Sequence, residues 1–144
     1  MSVGPKAREY AAWQDGLEDL AIACCAATPD GAGQCLTDFR DLIEGAPANE
    51  LQNGLLVGGL SNPRNSDPDH VVLNLLGPDC SFMISRGQGG MFISSVCLPG
   101  GEEEATASGS SIALATLGAL CIALVERAAA RQQDFLPGIL PSTP

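Results

Sequence analysis

Residues 105–125 carry no charged side chain, and this run constrains the fold more than any other feature. A charge-free stretch of that length either crosses a bilayer or lies inside a protein. Much of it is Ala, Gly, Ser or Thr (105–111, 113, 115, 116 and 118), and Ala119 and Ala123 add to the count, so the drive into lipid is weak. Small residues also permit close helix approach in either setting. The pattern predicts a long helix from about Ala105 to Arg131, with Leu114, Leu117, Cys121, Leu124 and Ala128 on one face. Glu102, Glu103 and Glu104 stand where a helix N-terminus welcomes negative charge. A sheet just upstream offers this helix a packing partner. A small protein anchored in a membrane by 105–125 is the competing reading.

The expected sheet is an antiparallel meander of three to four strands. Val71–Leu76, Ser81–Arg86 and Met91–Cys97 read as strands, and the join Gly87-Gln88-Gly89-Gly90 is a hairpin signal. A two-residue turn at Gln88 and Gly89 would pair residues whose numbers sum to 177. Ile84 then faces Ile93, Phe82 faces Ser95 and Cys80 faces Cys97. The cysteine pair falls on a non-hydrogen-bonded rung, with Cα atoms about 4.5 Å apart. A disulfide accepts about 4.4–6.8 Å, so the two sulfurs are expected in contact, reduced but oxidisable. The same register sends Phe82, Ile84, Met91 and Ile93 to one side, and Met83, Phe92 and Val96 to the other. Both sides are apolar, and both are expected to be covered.

The N-terminal third reads as two helices. Tyr10, Trp13, Leu17, Leu20 and Cys24 form a stripe along residues 7–27. Thr28-Pro29 is a start signal, and a second helix follows with Cys35, Phe39, Leu42 and Ile43 inward and Gly45 as its stop. Residues 49–60 read as a short helix from Asn49 running into extended chain, and Ser61–His70 as a loop. The whole is one α+β domain over residues 1–133, with an apolar, proline-rich tail at 134–144.

Charge narrows the partners. Seventeen acids against seven bases give a net charge of −10, with nine acids and three bases in residues 1–52. Nucleic-acid affinity rests on Lys and Arg neutralising phosphates, so no nucleic-acid partner is expected. An anionic membrane surface is disfavoured for the same reason. The opening residues lack the apolar core of an export leader, so the expectation is a cytoplasmic chain with reduced thiols.

Chemistry-bearing residues are few. Cysteines 24, 25, 35, 80, 97 and 121 include no C-x-x-C pair, the spacing of redox and zinc motifs. Cys24 and Cys121 sit on apolar stripes, where a thiol acts as a small hydrophobe. His70 is the only histidine, and beside Asp67 and Asp69 it has the donor types of a metal or base site. Turn chemistry explains the same aspartates, and a single histidine excludes two-His zinc arrangements. Neither a phosphate-binding loop nor a G-x-S-x-G elbow occurs. No cofactor and no metal is expected.

These features point to a non-enzymatic, self-associating binding or assembly protein: an adaptor, an assembly chaperone or a phage-type structural component. Its partners are itself and other proteins, and Phe135, Leu136, Ile139 and Leu140 are the expected anchors of a docking tail. A small thiol- or histidine-dependent enzyme using Cys80, Cys97 or His70 is the alternative.

Overall fold

The structure, a computed structural model, describes residues 5–58, 67–100 and 104–133. The element order is α1 (Pro5–Ala26), α2 (Ala32–Glu44), α3 (Pro68–Leu75), β1 (Ser81–Arg86), β2 (Phe92–Cys97), β3 (Ala105–Gly109) and α4 (Ile112–Gln133). It is an α+β fold in which a three-stranded antiparallel sheet of order β1-β2-β3 carries the long C-terminal helix on one face.

The N-terminal helices follow their stripes. Tyr10, Trp13, Leu17, Leu20 and Cys24 are all buried on α1, and Cys35, Phe39 and Ile43 are buried on α2, which ends at Gly45. Trp13 donates its indole N–H to the Leu42 carbonyl at 2.6 Å, tying α1 to α2. Asn49–Gln52 form a single 3-10 turn, after which Leu55 makes one bridge to Leu76.

The expected strand at Val71–Leu76 is instead helix α3. Asp67 caps it by accepting from the Asp69 N–H at 3.3 Å, and Pro68 occupies the first turn, where its missing N–H costs nothing. Val71, Val72 and Leu75 are the buried residues, a spacing that one helical face supplies. A short apolar run fits either period, and here the cap decides.

The expected helix start at Ala105 is also displaced. Residues 105–109 pair with β2 as β3, and α4 begins at Ile112. Ser111 caps it, its hydroxyl accepting from the Leu114 N–H at 3.2 Å. The negative charge at this terminus comes from Asp69, which accepts from the Ala113 N–H at 2.8 Å, and Glu104 precedes β3 instead. Glu102 and Glu103 lie outside the described residues.

The hairpin register differs by one. Gly87 N–H donates to the Met91 carbonyl at 2.8 Å, and Gln88-Gly89-Gly90 form a three-residue loop with Gly89 and Gly90 at φ of 71° and 80°. Partner numbers therefore sum to 178: Ser81 pairs with Cys97, Phe82 with Val96 and Ile84 with Ser94. A one-residue slip turns every β2 side chain over relative to β1. Phe82, Ile84 and Arg86 share a face with Phe92, Ser94, Val96, Ala105, Ala107 and Gly109, and that face meets α4. Met83, Ile93, Ser95, Cys97, Thr106 and Ser108 share the other.

Helix and sheet meet through small residues. Thr116 donates to Ser94 at 3.0 Å, both buried. A Cβ on Gly109 would lie 2.7 Å from the Ala115 nitrogen, so only glycine allows that approach. Cys121 is turned towards the thiols of Cys24 on α1 and Cys35 on α2. The stripe of α4 therefore meets β3 at Leu114 and the thiols of the N-terminal helices at Cys121.

Candidate interaction surface

The described chain leaves one sheet face without a cover. Helices α1 and α4 pack behind the sheet, and no described element lies in front. Both faces had been expected to be covered; the corrected register gives one buried face and one open face. Met83 is 70% exposed and Ile93 40% exposed on it, among Ser81, Ser85, Ser95, Thr106 and Ser108. Ser95 and Thr106 hydroxyls are 2.8 Å apart across β2 and β3, which satisfies part of this polar ground within the face.

Strand β1 is exposed on both sides. Phe82 belongs to the covered face yet is 48% exposed, because α4 packs on β2 and β3. The two sheet edges differ accordingly. β3 is flanked by α1, with Cys25 Sγ 3.9 Å from Ser108 Oγ and Ser110 donating to the Ala27 carbonyl at 2.8 Å. No described strand or helix flanks β1 on its outer side. Arg86 lies over its own Phe92, 5.8 Å from the ring centroid.

A second apolar feature lies between α1 and α4 beside β3. This open groove of about 660 Å³ is lined by Ala21, Ile22, Ile122 and Val125, with Glu18 and Glu126 also contributing. Ile22 is 69% exposed there.

Of the residues singled out for chemistry, Cys80 and Cys97 lie near each other, the Cys97 thiol being one of the lesser influences that raise Cys80. His70 is exposed on α3, while Asp67 and Asp69 are committed to capping α3 and α4. Cys80 donates to the Gly54 carbonyl at 3.2 Å, and Cys97 contacts the Leu98 carbonyl at 3.7 Å. The register pairs Cys97 with Ser81, not with Cys80. Burial, above all, pushes the Cys80 thiol above its ordinary value, which opposes the thiolate a nucleophile needs. Among the described residues no group of three His, Cys, Asp or Glu side chains is placed to hold a metal. Phe135, Leu136, Ile139 and Leu140 lie outside the described residues.

Two arrangements escaped the sequence reading. Cys24, Cys35 and Cys121 meet in the core, where burial first and the neighbouring thiols second push Cys24 well above its usual value. Arg127 is 5% exposed, and its guanidinium donates to the carbonyls of Leu51, Asn53 and Pro99 at 3.2, 2.7 and 2.9 Å. A planar fork of donors suits three converging carbonyls. Nothing local in the sequence announces either, since each joins residues far apart in the chain.

No family model matches the chain, and the curated proteins and solved structures give no match either. The surface itself is the ground for a functional reading.

Proposed function

We propose that this chain is a non-enzymatic binding and assembly protein that associates with itself and with other proteins. The observation that carries this reading is the sheet: among the described residues one face is open, with Met83 and Ile93 exposed on it, and the β1 edge beside it is bare. Exposed apolar residues gathered on one surface are the usual mark of a protein contact. The adaptor, assembly-chaperone and structural-component readings all draw on such a surface. The thiol-enzyme alternative finds less support, because burial raises Cys80, one of its candidate thiols, and so works against the thiolate. The membrane alternative finds less support: Ile112–Arg131 is apolar enough to span, but most of it is buried against α1, α3 and the sheet. The tail anchors Phe135, Leu136, Ile139 and Leu140 are proposed as a further contact. Light scattering on purified protein across a concentration series tests the reading. A mass rising above 14.8 kDa supports it, and a constant 14.8 kDa up to millimolar concentration contradicts self-association.

A further inference from the structure

We infer that the partner of β1 is the β1 strand of a second copy, paired antiparallel about a two-fold axis at Met83. This rests on the self-association reading above and specifies its geometry. The Gly87–Met91 bond sets the phase of the ladder. With partner numbers summing to 178, the bonded rungs to β2 fall at Ser85, Met83 and Ser81. The N–H and C=O groups of Phe82, Ile84 and Arg86 therefore point to the outer edge, a ready template for another strand.

The sequence of that edge reads the same in both directions. Ser81-Phe82-Met83-Ile84-Ser85 is hydroxyl, apolar, apolar, apolar, hydroxyl about Met83. Two antiparallel strands related by a two-fold keep the same face up, so opposed residues must share parity and their numbers must sum to an even value. The sum 166 places Met83 opposite its own copy, Phe82 opposite Ile84 and Ser81 opposite Ser85. Each apolar side chain then meets an apolar one, the pairing that stabilises a sheet.

Charge favours the same approach. Two chains of net −10 repel, yet residues 80–101 contain no acid, and Arg86 is their only charge. The sheet is thus the part of this acidic molecule where two copies can meet without opposing carboxylates.

The test uses the full chain in three forms. The wild type is expected to move from 14.8 kDa towards twice that mass with concentration. Ile84→Pro removes an outward N–H and leaves the β1–β2 rungs intact, so it is expected to stay monomeric with wild-type circular dichroism. Met83→Cys brings two thiols together at the axis, about 4.5 Å between Cα atoms, and is expected to cross-link under mild oxidation. Ser85→Cys places its thiols several residues apart and is expected to give no more cross-link than the wild type, which controls for the native cysteines. A dimer that survives in Ile84→Pro, or equal cross-linking by Ser85→Cys and Met83→Cys, overturns the β1 pairing while leaving self-association standing. A wild type that stays monomeric overturns both. Should Ile84→Pro fail to fold, Met83→Lys serves in its place, since it sets two like charges face to face at the axis. A Met83→Lys dimer as tight as the wild type would overturn the proposal.

Discussion

Arg127 shows how a single side chain can close the back of the domain. It reaches from α4 to three carbonyls on the 49–53 turn and the β2–β3 connection. Arg127→Met leaves those acceptors without their charged donor, and unfolding in urea is expected to show a loss of roughly 2–4 kcal/mol. The buried thiols set a pH limit. Cys24, Cys35, Cys80 and Cys121 are raised in the fold from 9.0, so above about pH 9 the unfolded chain gives up these protons before the folded one does. Their contribution is fully present below pH 9 and is lost as pH climbs beyond it. Melting temperature is expected to fall from pH 9 to 10.5, and Cys121→Ala to flatten that fall. Sequence showed Cys24 and Cys121 as core thiols from their place on the stripes. It did not show that they meet each other, nor that Arg127 turns inward, because an arginine near a helix end usually faces water.

The elements divide by how local their causes are. Helices α1 and α2 were legible from local signals, a five-member stripe on α1 and a four-member inward set with a glycine stop on α2. Helix α3 was not, since Val71–Leu76 fits both periods and its cap lay in what read as a loop. Strand β3 has only small residues, Ala105-Thr106-Ala107-Ser108-Gly109, so pairing with β2 rather than propensity makes it a strand. The hairpin was found but slipped by one, because Gly89 and Gly90 together build a three-residue loop. Leu117 on α4 is 1% exposed, so Leu117→Asp is expected to cost on the order of 3–5 kcal/mol through a charge left in the core. Gly109→Ala is expected to cost about 1–3 kcal/mol, as its methyl would press on the α4 backbone. Met83→Lys on the open face is expected to change monomer stability by no more than about 0.5 kcal/mol. Urea titration of these three variants at low protein concentration ranks them.

At the scale of the molecule, charge and cover are unevenly spread. The helices pack on one side of the sheet, while β1 and β2, which carry no acid, present an open face and, among the described residues, an unpaired edge. That division was only half visible in sequence: the neutral run was there to read, but the wrong register hid the open face. Removal of residues 134–144 is expected to lower the oligomeric mass or the melting temperature if the tail contributes anchors. The most direct test of the whole account is amide hydrogen exchange in β1 at low and high protein concentration. The amides of Met83 and Ser85 should be protected in both, because they bond to β2. Those of Phe82 and Ile84 should exchange freely when dilute and become protected as copies associate. Free exchange at Phe82 and Ile84 in an associated sample would contradict the claim that copies of this protein join through β1.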